Sequence, residues 1–220
     1  MTAPLRIDWL GRLPYPEAHA RMVERLERRL AGDEPDSLLL LEHEPVFTVG
    51  RQRGAADSVL DPGDIPVIPV ERGGNVTYHG PGQLVGYPIV ALPPHRQDIH
   101  GYLRGLEDML IGLLAGYGIA GARDPRNTGV WVGGQKICAL GVAVRRWVTW
   151  HGFSVNLDPA LDAYRRIHPC GMDSTLVTRV VDHAAAPPQL FALRDATATA
   201  FRAWWERFAA PPADGGPGPG

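Results

Sequence analysis

The chain has 220 residues, 45% of them hydrophobic and 21% charged, with a formal net charge of -2. That length can bury one α/β-sized core, and the composition excludes a polybasic nucleic-acid binder, a polybasic membrane surface and a disordered chain. The first residues lack a signal core and no run nears the ~18 apolar residues of a membrane span, so a soluble cytoplasmic protein is expected.

Helical spacing runs over about residues 17–30, where Ala18, Met22, Leu26 and Leu30 share a face, preceded by Pro14 and Pro16 and followed by Gly32. β-type runs follow at 38–41, 46–49, 67–70 and 84–90. A second helix starts at Asp98, a fitting N-cap, and carries Leu103, Leu106, Leu110 and Leu114 to a stop at Gly116. Further β-type runs at 129–132, 137–144 and 149–156 precede a third helix over 190–208, which carries Phe191, Phe201, Trp204 and Trp205. Several strands come in succession without a helix after each. The expected class is therefore α+β, a mixed β-sheet with flanking helices, and not a regular parallel βαβ array. Residues 1–210 read as one domain, and the Pro/Gly-rich residues 211–220 as a disordered tail.

Lys136 is the only lysine among 22 basic residues. Arginine stays protonated, whereas burial can bring a lysine amine close to neutrality, so a lone lysine in an apolar segment is either a proton carrier or the survivor of a composition bias. The stretch 72–89 holds five glycines, which lets the backbone approach a ligand closely or simply builds a hairpin; it matches neither the P-loop nor the dinucleotide pattern. Cys170, between Pro169 and Gly171, reads as a partly exposed thiol in a turn. Asp173 or Ser174 is expected to cap a following helix whose N-terminus would favour thiolate. Cys138 reads as a small core residue, yet two-residue alternation puts it on the face of Lys136 and makes it a rival nucleophile. Both cysteines are expected as free thiols, since two are too few for a disulfide framework. His43 reads as a satisfied loop histidine, His151 as a strand-start residue and His168 as a turn residue. His79, His151, His168 and Cys170 lack metal-ligand spacing, so no metal is expected.

Taken together, Arg72-Gly-Gly-x-x-Thr-Tyr-His-Gly-Pro-Gly-Gln-Leu-Val-x-Tyr-Pro-Ile, Gly134-x-Lys136-Ile-x-x-Leu-Gly141, His151-Gly-Phe-Ser-Val-Asn-Leu157 and Pro169-Cys-Gly171 resemble the lipoyl/octanoyltransferase family. Cys138 and Phe153 depart from that family's usual residues at their positions. The resemblance implies a fold like the catalytic domains of biotin and lipoate protein ligases. It also implies octanoyl transfer from octanoyl-acyl carrier protein, through a Cys170 thioester with Lys136 managing protons, to a lysine of lipoyl-dependent proteins. The acceptors it implies are the lipoyl domains of 2-oxoacid dehydrogenase complexes and the glycine-cleavage H protein. The acyl-binding positions it implies are Arg72, Gly73, Gly74, Asn75, Val76, Thr77, Tyr78, His79, Ala139, Leu140, Gly141, Gly152, Phe153 and Ser154, with the chain beside Val76 and Tyr78 and an oxyanion hole at the backbone of Leu140 and Gly141. No cofactor is expected, because a thioester donor is already activated. An ATP-dependent lipoate-protein ligase on the same fold and a non-catalytic carrier-protein-binding module remain as alternatives.

Overall fold

A computed structural model describes residues 5–212, with the side chain of Cys170 outside the described set. The elements run β1 (Arg6–Leu13), α1 (Tyr15–Ala31), β2 (Ser37–His43), β3 (Val46–Val49), β4 (Val67–Pro69), β5 (Val76–His79), β6 (Gln83–Ile89), α2 (Ile99–Ala115), β7 (Gly129–Val132), β8 (Gln135–Arg145), β9 (Val148–Asn156) and α3 (Leu190–Ala209), with one-turn helices between several of them. They form not one mixed sheet but two. The larger has the order β1-β2-β6-β9-β8-β7 and the smaller β4-β3-β5. Among the strands of the described residues, only β1 with β2 and β3 with β4 pair in parallel.

The leucine run of β2 shows how the layers form. Leu38 and Leu40 join a core with Tyr102, Leu106 and Leu110 of α2 and Phe201 and Trp204 of α3. Leu39 and Leu41 join one with Ala18, Met22 and Leu26 of α1. A strand covered on both faces has no polar alternation to show, which is why β2 reads as a continuous apolar run. α1 begins two residues earlier than its periodicity indicates, with Tyr15 as its first residue and Pro16 inside its first turn, where a missing N–H costs nothing. The Asp98 cap is as expected, its carboxylate accepting from His100 N–H at 2.9 Å.

β1 and β5 are strands that the pattern does not announce. β1 is a half-buried edge strand interrupted by Gly11 at φ +73°, and its register shifts between Trp9 and Arg12. No helix of the described residues is long and apolar enough to cross a membrane. The tail from residue 213 lies outside the described residues.

Candidate functional site

Lys136 enters the interior from β8 and is 4% exposed. Its Nζ donates to Asn127 Oδ1 and to the Thr128 carbonyl, each at 2.9 Å, and lies 5.2 Å from the centre of the Trp131 ring. Gly129, which starts β7 at φ +148°, makes room for the stem, since a Cβ there would lie 3.0 Å from Lys136 Cε. Its N–H is held in turn by the buried Glu107 carboxylate at 2.8 Å, which Arg123 pairs at 2.9 Å. Neither Asn127 nor Glu107 carries a motif; Glu107 is an acid on the otherwise apolar face of α2.

The expectation that Lys136 and Cys138 share a face fails, because β8 contains a bulge. Lys136 and Cys138 pair with the consecutive residues Trp131 and Val130, so one extra residue on β8 reverses the alternation between them. Lys136 therefore lines a small pocket together with Ala139, whereas Cys138 packs into the main apolar core. Burial pushes the Cys138 thiol far above its ordinary range, only partly offset by nearby Lys136, so it stays protonated.

The segment bearing Cys170 docks on the same strand. Thr178 N–H bonds the Lys136 carbonyl at 3.0 Å, Gln135 Nε2 bonds the Thr175 carbonyl at 2.9 Å, and Asn156 Nδ2 bonds the Thr178 carbonyl at 3.1 Å. On its other side, His168 N–H bonds the Ser58 carbonyl at 2.7 Å. The backbone of Cys170 lies in a single 3-10 turn, Pro169–Gly171, and Pro169 and Met172 line the pocket into which Lys136 reaches. Asp173 does cap the following element, accepting from Thr175 N–H at 2.8 Å, but Ser174–Leu176 is one 3-10 turn and not an α-helix. The expected α-helix dipole is thus missing.

Beside this pocket, and sharing Thr77 and Ala139 with it, lies a cleft with about 430 Å³ of empty space, its open mouth included. Of the positions expected to bind the acyl group, Arg72, Thr77, His79, Ala139, Leu140, Gly141, Gly152, Phe153 and Ser154 line it. The alternation of β5 divides the rest: Thr77 and His79 face the cleft, whereas Val76 and Tyr78 point into a third core with Phe47 and Val49, away from the cleft. Gly73, Gly74 and Asn75 form the wall behind Arg72. Gly73 N–H bonds the Val142 carbonyl at 3.0 Å, and Asn75 Oδ1 accepts from Val76 N–H at 2.6 Å. Gly74 has φ +83°, and a Cβ there would have only Arg72 Nη1 within reach, at 3.7 Å, so its glycine serves backbone conformation and not pocket space. Arg72 folds over the cleft and donates to the carbonyls of Gly73, Asn75 and Thr48 at 3.0, 2.8 and 2.8 Å.

The oxyanion expectation divides as well. Val142 directs its carbonyl outward to Gly73, and alternation aims the Leu140 N–H outward too, whereas that of Gly141 turns toward Gly152 on β9. Of the two, Leu140 is the one whose N–H is not turned to β9.

The histidines are interior groups. His43 lies in strand β2, not in a loop, and its Nε2 meets Tyr87 Oη at 2.7 Å; burial lowers its pKa to about 4, against a weaker opposing effect of the Leu13 carbonyl. His79 Nδ1 meets Gln83 Oε1, whose amide also bonds Asn156 Oδ1 and Tyr164 Oη, each at 2.9 Å. His151 sits inside β9 at φ +55°, not at its start. His168 lies between two short 3-10 helices, as expected of a turn residue. Among the described residues no three His, Cys, Asp or Glu side chains group as a metal site.

The lipoyl protein ligase A/B catalytic domain model matches residues 14–202 of the chain. An octanoyltransferase of Gloeobacter violaceus is 53% identical over 163 residues, covering 74% of this chain and 73% of the relative. One of Geobacter metallireducens is 45% identical over 192 residues, covering 87% and 89%. Among solved structures, the bi-partite lipoate protein ligase of Thermoplasma acidophilum superposes with TM-score 0.70 at 16% identity, covering 94% of this chain and 84% of that one. The biotin protein ligase of Aquifex aeolicus does so with TM-score 0.55 at 10% identity, covering 94% and 71%. At those identities the likeness is one of fold.

Proposed function

The chain belongs to the lipoyl protein ligase A/B catalytic domain family, and from that premise we propose that it is an octanoyltransferase of protein lipoylation in which Cys170 is the nucleophile and Lys136 the proton carrier. The observation that carries this reading is the shared rim: Thr77 and Ala139 belong both to the cleft and to the pocket that holds Lys136 and the neighbours of Cys170. An acyl group lying in the cleft then ends where the cysteine loop begins.

In the first half-reaction the thiolate attacks the carbonyl of a carrier-bound octanoyl thioester, the carbon–sulfur bond to the carrier breaks, and the departing thiol takes a proton from the Lys136 ammonium. The tetrahedral oxyanion is met by the Leu140 N–H. In the second half, an acceptor lysine amine attacks the acyl-cysteine and gives a proton to the now neutral Lys136; the amide forms as the carbon–sulfur bond to Cys170 breaks, which restores the thiolate and the ammonium. Lys136 suits both steps because a neutral amine and an ammonium each have donors enough for the two acceptors, Asn127 Oδ1 and the Thr128 carbonyl, so a proton can pass without moving Nζ. One thioester is exchanged for another, so no nucleotide is required.

The donor on this reading is an acyl carrier protein and the acceptor a lipoyl domain. Arg51 and Arg53 support an anionic donor. Both are exposed and make no ion pair among the described residues. Their loop is tied to the cleft wall by Arg51 N–H to the Arg72 carbonyl and Gln52 N–H to that of Gly74, each at 3.0 Å, and to the cysteine loop through Ser58.

The test is intact mass of the protein incubated with octanoyl-carrier protein in the absence of nucleotide. A gain of one octanoyl group, absent in Cys170→Ser and discharged by a lipoyl domain, is expected. Acylation that requires ATP, or that persists in Cys170→Ser and vanishes in Cys138→Ser, would overturn the reading.

A further inference from the structure

Among the described residues, two buried side-chain polar atoms lack a hydrogen-bond partner: Tyr15 Oη and His151 Nε2. The residues are 4% and 2% exposed, and both line the cleft. Buried polar atoms are nearly always paired, so two orphans in one cavity point to a partner that arrives from outside. The nearest charged group serves it poorly: Glu71 Oε2 stands 3.5 Å from His151 Nε2, an ion-pair contact longer than a well-formed hydrogen bond, and is engaged by His19 at 3.1 Å. The other polar residues at this end are occupied, Tyr87 by His43 and Arg72 by the carbonyls it clamps.

Register locates the pair. Ala139 opposes Ser154 at the end shared with the Lys136 pocket, and Val142 opposes His151 three residues on, about 10 Å along the ladder at the usual rise per residue. That is the reach of a medium-length chain whose carbonyl is at Ala139. The backbone of His151 is built to the purpose, since its positive φ breaks the strand's alternation and its N–H is diverted to Met22 Sδ at 3.2 Å.

We propose that the far end of the cleft is a hydrogen-bonding subsite, Tyr15 Oη with His151 Nε2, that takes medium-chain acyl groups carrying a hydroxyl on the terminal carbon. The inference rests on the acyl-transfer reading above. A phenol and an imidazole together can both donate to and accept from one hydroxyl, whichever imidazole tautomer is present. A hydroxyl entering an all-apolar pocket end would lose its water and gain nothing; here it satisfies three groups at once. An apolar chain long enough to press its methyl against the pair leaves both unpaired, so decanoyl should be used less well than octanoyl.

The experiment compares kcat/KM for octanoyl, 8-hydroxyoctanoyl and decanoyl loaded on one carrier protein, with a lipoyl domain as acceptor, in the full-length protein and in Tyr15→Phe, which removes one oxygen. Supporting results are a hydroxyoctanoyl-to-octanoyl ratio of one or more in the natural protein and a fall of about tenfold in that ratio in Tyr15→Phe, the net worth of one hydrogen bond. A ratio below one in the natural protein, or an unchanged ratio in the variant, overturns the subsite. If Tyr15→Phe does not fold, His151→Asn, whose residue tolerates positive φ, reads the same ratio. Failure to transfer any acyl group would sink the acyl-transfer reading instead. The subsite would then be judged by whether free 8-hydroxyoctanoate raises Tm more than octanoate does.

Discussion

Lys136 stands just before the β8–β9 ladder and His151 midway along it, both almost wholly buried, yet they are treated in opposite ways. Lys136 Nζ is clamped by Asn127 and the Thr128 carbonyl, with Gly129 and Glu107 fixing the clamp behind it. His151 Nε2 is left without a hydrogen-bond partner, on a backbone held at φ +55°. The contrast teaches how one sheet serves two purposes. On the reading proposed above, the protein supplies the contacts and so fixes the geometry where a proton would pass, and withholds them where a ligand would complete them.

The reactive end can be broken most severely. Lys136→Arg keeps a cation but removes the neutral base, so it should cost nearly as much as Lys136→Ala, about 10²–10⁴ in kcat for a proton-transfer group. Substantial turnover in the arginine variant would show that charge alone suffices. The same alanine variant should shift alkylation of Cys170 by iodoacetamide to higher pH, measured with Cys138 replaced by serine, because no α-helix N-terminus stands in to favour the thiolate. Superimposed alkylation curves would end the claim that Lys136 addresses the thiol.

The far end should reveal itself in stability before rate. His43, bonded to Tyr87 and 5.2 Å in ring separation from Tyr15, has its pKa lowered from 6.5 to about 4 by burial. The unfolded chain therefore binds the proton first. His43 leaves stability intact above pH 6.5 and erodes it as pH falls toward about 4, by up to about 3 kcal/mol. His151, lowered to about 3, acts in the same direction. Chemical denaturation across that window should show the slope, and His43→Gln should flatten it. An unchanged slope would place the acid sensitivity in the carboxylates and not at this end of the cleft.

How far these two ends could be read from the chain itself differs for a physical reason. The lone lysine and the Pro169-Cys-Gly171 turn are local signals, whereas most of the cleft lining was legible only through the family resemblance of the glycine-bracketed segments. The bulge that separates Lys136 from Cys138 is a relation between β7 and β8, invisible to alternation counted along one strand. The same limit hid the division within 76–79, where only pairing with β3 and its core decides that Thr77 and His79 face the cleft. Tyr15 looked like a residue before a helix and His151 like the start of a strand. Their common pocket exists only once α1 packs on β9, so no spacing in the sequence joins them. Gly74 was misread in the other direction: a glycine in a binding segment suggests space for a ligand, but its φ of +83° shows that the backbone is what needs it.

The smallest expected effect concerns how the donor arrives rather than what Lys136 or His151 does. Arg51 and Arg53 lie on the loop between the cleft wall and the cysteine loop, and a surface pair of cations meeting an anionic partner changes encounter more than chemistry. Replacing both with glutamate should raise KM for octanoyl-carrier protein about three- to tenfold at low salt, with kcat little changed. The loss should shrink as ionic strength rises, since exposed charges are screened over about 10 Å at 0.1 M. A small octanoyl thioester without a carrier should be used equally well by both proteins. That comparison isolates docking from catalysis: an equal loss with the small donor would mean that the loop props the cleft wall through its bonds to Arg72 and Gly74, and the two arginines would then belong to the clamp at the reactive end and not to the partner's approach.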